Sequence, residues 1–177
     1  MTLSTVGHGT ASQEVFGALL RDAGLRRLVD IRTAPGSRRH PQFGRDALAE
    51  WLPSYGMTYE WERRLGGFRK PAVDSPDVVW RNDAFRGYAG WMRTVEFIAA
   101  LDDVVSSAAA EPTVVMCSES VWWRCHRRLV ADAALLLRAM PVLHLMHDGR
   151  TVPHEPTDGV RVTDDGRLVY DAGQVAL

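Results

Sequence analysis

The chain has 177 residues, 46% of them hydrophobic, enough for one sizeable core and too few for two independent ones of usual domain size. Its formal net charge of −1 excludes a global positive field that would draw it onto nucleic acid or an acidic membrane, so any contact with a polyanion has to be local. Met1–Gly7 carries no basic, apolar leader and no apolar run is long enough to span a bilayer; a cytoplasmic protein with no membrane partner is expected. The two cysteines, Cys117 and Cys125, fall in one short segment, where chemistry explains them better than a structural disulfide.

In chain order, Leu3–Gly7 predicts a strand, and Ser12 caps a helix carrying Val15, Phe16, Leu19 and Leu20, ended by Gly24. Residues 27–32 supply a second strand through Leu28, Val29 and Ile31, followed by a loop of Pro, Gly, Ser and Arg and a helical run over 46–52. Residues 57–61 predict a third strand, and residues 65–83, rich in Gly and Pro with no period, a long loop or lid. A helical pattern covers 91–105. Thr113–Cys117 then forms a compact β-branched run of the kind buried on both faces of a sheet.

A helix predicted over 122–138 places Cys125, Leu129 and Ala133 on one side. Residues 141–146 predict another strand, and 160–163 with 168–170 around Asp165-Gly166 a terminal hairpin. The expected fold class is α/β: a single domain, a mainly parallel sheet of about five strands flanked by helices, and a C-terminal β-hairpin. Ligands of such folds sit beyond the carboxyl ends of the strands. Here those ends are Gly7-His8, Asp30-Ile31-Arg32 and Cys117-Ser118-Glu119.

The segment from Cys117 to Arg127 is dense in chemistry. A helix start presents unpaired amides and positive potential, and Arg124 and Arg127 add to it, so Cys117 is the candidate nucleophile and the more acidic thiol, with Cys125 on the core side of the helix. Glu119 is the candidate general acid or base, and His126 and His8 are candidate proton carriers. Cysteine and histidine also suggest zinc, but adjacent Cys125 and His126 diverge on a helix and no second ligand pair is evident, so neither metal nor cofactor is expected. Cys117 is followed by six residues before Arg124, one more than a phosphatase loop, whose thiolate-and-arginine logic it otherwise shares. Between Arg26 and Arg45 six arginines face the single acid Asp30, a local basic patch in which Asp30, Arg32, Ser37 and Arg38, together with Arg124 and Arg127, are candidate ligand-binding residues for phosphate oxygens.

The motifs in this order resemble the family known as domain of unknown function 488. The resemblance rests on Gly7-His8, Asp30-Ile31-Arg32 with Pro35 and Ser37-Arg38, Pro41 and Phe43, Leu65-Gly66-Gly67, Gly87-Tyr88 with Met92-Arg93, Met116-Cys117-Ser118-Glu119, and Cys125-His126-Arg127. It implies an α/β fold with a shared polar pocket, and the family's name carries no activity. The chain departs from the commoner pattern at Gly9, where a serine is usual, and at Ser120 and Trp122.

The expected function is that of a hydrolase or transferase acting on a phosphate-bearing ligand, a nucleotide or nucleic acid. One alternative is a Cys-dependent phosphatase or sulfurtransferase. Another is a noncatalytic module that binds nucleic acid or a regulatory ligand through its arginines, with Cys117 and Glu119 only packing.

Overall fold

The computed structural model describes residues 1–36 and 38–173. Apolar runs alternate with capped amphipathic segments to give β1 (Leu3–Gly7), α1 (Gln13–Asp22), β2 (Arg27–Asp30), α2 (Arg45–Trp51), β3 (Thr58–Trp61), α3 (Asp83–Trp91), α4 (Val95–Ala110), β4 (Thr113–Cys117), α5 (Arg127–Arg138), β5 (Val142–Leu145), β6 (Thr151–Pro153), β7 (Val160–Val162) and β8 (Leu168–Tyr170). Ser12 caps α1 by accepting from the Val15 N–H at 3.2 Å, the role its position before the apolar period predicts.

The main sheet runs in the order β3-β2-β4-β1-β5-β6. Every pairing is parallel except β5 with β6. β4 lies between β2 and β1 and is buried on both faces, as its uninterrupted apolar run predicts. Val114 and Met116 face a layer holding Phe16, Leu20, Phe43 and Leu48 from the α1–α2 side. Val115 and Cys117 face Phe97, Leu101, Leu129 and Ala133 from the α4–α5 side. This is a single α/β domain, with β7 and β8 forming the terminal hairpin around Gly166 at φ 74°.

Three boundaries differ from the sequence reading. The sheet has a sixth strand, β6, whose exposed Thr151, Val152 and Pro153 carry no burial pattern; proline suits such an edge. The helix predicted over 91–105 begins four residues later and runs on to Ala110 as α4, with Thr94 as its cap, and the sequence reading has no counterpart for α3, which Asn82 caps by accepting from the Ala84 N–H at 2.8 Å. The helix predicted from residue 122 begins at Arg127 instead. Ahead of it stand a 3-10 turn at Trp122–Arg124 and Cys125 in extended conformation at φ −125° and ψ 148°. Among the described residues no helix is long and apolar enough to cross a membrane.

Candidate functional site

Parallel register sets the floor of the site. Gly7 pairs with Cys117 and Asp30 with Met116, so β1, β2 and β4 end at one edge. The backbone continues the match beyond the strands: His8 N–H donates to the Cys117 carbonyl and Gly9 N–H to that of Ser118, each at 3.0 Å. Gly7 is required there, because a Cβ on it would stand 1.8 Å from the Glu119 carbonyl oxygen. Arg127, 2% exposed, holds the loop down by donating to the Glu119 and Ser120 carbonyls. Its guanidinium is therefore a pin behind the loop. Two departures from the family pattern meet in the same place: Gly9, at a left-handed φ of 54°, lies against the Ser120 hydroxyl.

The acid that ends β2 and the base two residues beyond it are committed to each other. Asp30 Oδ1 accepts from Arg32 Nε at 2.8 Å and Oδ2 from Arg32 Nη2 at 2.6 Å, and Tyr59 adds its hydroxyl at 3.0 Å. Arg32 also donates to the Phe43 carbonyl and, through Nη1, to His8 Nε2 at 3.2 Å. Since a guanidinium only donates, His8 Nε2 is the acceptor and Nδ1 carries the hydrogen, which it gives to the Gly9 carbonyl at 2.9 Å. Burial is the main cause that lowers the His8 pKa to about 4, reinforced by Arg32, so the ring is neutral at pH 7. It stacks on Phe43 at 4.1 Å, on the α1–α2 side of the sheet, whereas Cys117 belongs to the other layer. The two line one cleft across the sheet edge.

Cys117, Cys125 and His126 form a tight group whose ligand atoms all lie within 4.8 Å of one another. His126 Nε2 sits 3.0 Å from the Ile31 carbonyl oxygen; as a carbonyl only accepts, Nε2 carries the hydrogen. Nδ1 is thereby turned to both sulfurs, 3.8 Å from Cys117 Sγ and 3.7 Å from Cys125 Sγ. The extended backbone at Cys125 makes this convergence possible, where a helix would have separated the side chains. The Cys117 thiol is held well below its usual pKa, first by a hydrogen bond from Cys125, then by His126 and the Glu119 N–H. Burial pushes Cys125 well up, and its bond to Cys117 adds to that. The ordering of the thiols agrees with the sequence reading, but its main cause is the neighbouring thiol and not Arg124 or Arg127.

These groups open onto a cleft of about 740 Å³. Ser118, Glu119 and Arg124 line it, as do Arg32, Arg39 and His40. Glu119 is exposed, with Oε1 accepting from the Val121 N–H at 3.2 Å. Gly67 lines the cleft at close approach, where a Cβ would lie 3.3 Å from His126 Nδ1, and beside it Gly66 packs on Thr33, where a Cβ would lie 2.7 Å from Oγ1. Of the candidate residues, His8, Arg32, Cys117, Glu119, Arg124 and His126 line the cleft. Asp30 and Arg127 stand behind it, Arg38 is exposed and does not line it, and Ser37 lies outside the described residues.

The six-arginine stretch does not form one patch. β2 runs through it, so Arg27 pairs with Glu60 and Glu111 at the amino ends of the strands, while Arg32 is spent on Asp30. Sequence reasoning missed Cys125 as a full member of the group, the wall residue Tyr88 at 5.1 Å from the His126 ring, and Phe68. Phe68 is 87% exposed with a left-handed φ of 61°, an arrangement costly for an aromatic residue. Its only sequence signal is its position after Gly66-Gly67.

Comparison with known proteins adds one match. The family model described as Domain of unknown function DUF488 matches residues 12–134, which takes in every segment of the resemblance except Gly7-His8. No curated protein and no solved structure matches the chain.

Proposed function

Because this chain belongs to the DUF488 family, whose description carries no activity, we propose from the cleft itself that it is a hydrolase or transferase acting on a phosphate-bearing ligand, a nucleotide or an exposed nucleotide of a nucleic acid. The observation that carries this reading is the charge pattern of the cleft. Its described lining holds arginines and histidines but one carboxylate, Glu119, beside the Cys117–Cys125–His126 group. Such a lining attracts an anion and leaves one acid-base group next to the reactive centre. Arg124 at the rim suits phosphate oxygens, and the exposed Phe68 ring suits a base. His8, with both ring nitrogens engaged, and Arg32, Asp30 and Arg127 position the floor. Two free thiols side by side favour work in the reducing cytoplasm.

Transfer through Cys117 as a nucleophile, in the manner of a phosphatase or sulfurtransferase, is the second reading. It is favoured by the Glu119 N–H and Cys125 thiol on its sulfur. Against it, the Val121, Arg124 and Cys125 amides bond inside the loop, where a phosphate cradle would present amides to the anion.

The test is binding and turnover with a panel of nucleotides, phosphate esters and short single strands, each titrated with salt. Arg124→Ala is expected to weaken binding about tenfold and flatten its salt dependence. Glu119→Gln is expected to keep binding while turnover falls about 100-fold or more. Binding without turnover anywhere in the panel would leave a noncatalytic module, and no saturable binding would end the phosphate reading.

A further inference from the structure

We propose that Cys117, Cys125 and His126 are the three protein ligands of a divalent metal ion of the zinc class, bound with its fourth position open to the cleft. Two thiols and an imidazole are the soft-to-borderline donor set that zinc prefers. They are drawn from two separate segments, the end of β4 and the approach to α5.

Their spacing fits an ion. Zinc bonds of about 2.3 Å to sulfur and 2.0–2.1 Å to nitrogen put the donors of a tetrahedron about 3.6 Å apart, and the Nδ1–Sγ distances here are 3.7 and 3.8 Å. These are long for hydrogen bonds to a thiol, and with the two sulfurs within 4.8 Å of each other the group closes around a metal by drawing the thiols together to about 3.8 Å.

The imidazole is held as a metal ligand is held. Its Nε2–H is fixed by the Ile31 carbonyl at 3.0 Å, the backbone partner that commonly orients a ligating histidine and leaves the other nitrogen to the ion. Gly67 adds a separate observation. A Cβ there would stand 3.3 Å from Nδ1, so the missing side chain keeps the approach to that nitrogen open. Charge completes the argument. Cys117 and Cys125 are both buried, and two thiolates around a dication make a neutral centre, which removes the cost of an isolated buried charge.

Among the described residues, no fourth cysteine, histidine or carboxylate joins the group. A structural zinc site is closed by four protein ligands, whereas three and an open position mark a site where water or substrate completes the shell. An ion here would hold water facing the cleft and bring its pKa toward neutrality. The site rests on donor geometry alone and holds whether or not the cleft takes a phosphate-bearing ligand.

The test uses the full chain, purified under reducing conditions without chelator. Elemental analysis is expected to find one zinc per chain. Exchange to Co²⁺ is expected to give a thiolate-to-cobalt charge-transfer band and the intense visible bands of a tetrahedral centre. Zinc should also shield both cysteines from alkylation until a chelator is added. Cys125→Ser and His126→Gln, with folding checked by circular dichroism, should each weaken Co²⁺ binding about 100-fold or more, and Val95→Ala, on the exposed start of α4, should leave it unchanged. Should either ligand variant fail to fold, the alkylation and cobalt measurements on the wild-type chain decide alone. A folded, reduced wild-type chain that takes up neither Zn²⁺ nor Co²⁺, or one whose thiols stay equally reactive with zinc present, would overturn the proposal. So would metal retained at full affinity by folded ligand variants, or a Cys117–Cys125 disulfide as the form isolated from cells.

Discussion

Helix α5 carries two histidine-centred clusters of opposite character. At its start, His126 turns Nδ1 toward two sulfurs at the floor of the cleft. Midway along it, Asp132 anchors a buried chain in which every hydrogen finds an acceptor. Asp132 Oδ1 accepts from His154 Nε2 at 3.0 Å, His154 Nδ1 from His144 Nε2 at 3.0 Å, and His144 Nδ1 from the Thr5 hydroxyl at 2.7 Å. Thr157 donates twice more to Asp132, and Tyr170 once. Trp122 covers His144 by stacking at 4.0 Å. A histidine's role follows from where its second nitrogen is directed. In the buried chain that atom is closed by another protein group, which makes the chain a clamp between β1, α5, β5 and the terminal hairpin; in the cleft it is left to donors that hydrogen-bond poorly.

The largest expected difference is in stability. Asp132→Ala would strand the donors of His154, Thr157 and Tyr170 in a dry interior and is expected to cost about 3–5 kcal/mol. Glu119→Gln, on the exposed loop, is expected to stay within about 0.5 kcal/mol. Urea unfolding of both variants checks this, and equal midpoints would show that Asp132 does not hold the buried chain.

Next is acid sensitivity. Burial, then the charges of His154, Arg127 and Arg128, lowers the His144 pKa from 6.5 to about 3. The unfolded chain therefore binds more protons between those limits, and stability falls as pH drops through that window, by about 1–3 kcal/mol from this group. Thermal melts at stepped pH should show the loss, and His144→Asn should reduce its slope.

The smallest effect on stability concerns the rim. Phe68→Gly relieves a left-handed φ and is expected to raise stability by about 0.5–1 kcal/mol. The same change should weaken nucleotide binding by about 1–3 kcal/mol if the ring stacks on a base. Melting and titration of one variant read both signs.

Much of the fold was legible because its signals are local. Thr113–Cys117 reads as a doubly buried strand from its β-branched run, and Asp165-Gly166 as a turn from its demand for positive φ. With the strand ends known, the edge rule places His8, Arg32 and Cys117 along one cleft. The site's inner geometry was not legible, because it depends on backbone that breaks the period: the tryptophans and arginines of 122–128 fit a helical pattern, and only the 3-10 turn and extended Cys125 bring that thiol and His126 together. The split of the arginine stretch between opposite edges was legible as well, since the strand predicted over 27–32 already sets Arg27 and Arg32 at its two ends. Phe68 carries no motif, and its exposure is a fact of three dimensions only.

β4 has a hydrogen-bonded strand on each side and a helical layer over each face. Its amides are expected to be among the last in the molecule to exchange with deuterated water, opening only when the whole domain opens. Cys117 ends that strand, and the Ile31 amide beyond β2 is bonded to the Met116 carbonyl at 3.0 Å. The cleft therefore joins two timescales. Its rim carries the exposed Ala34, Gly36, Arg39 and Phe68, where local opening costs least, while the thiol at its floor keeps its place on the slow clock of global unfolding.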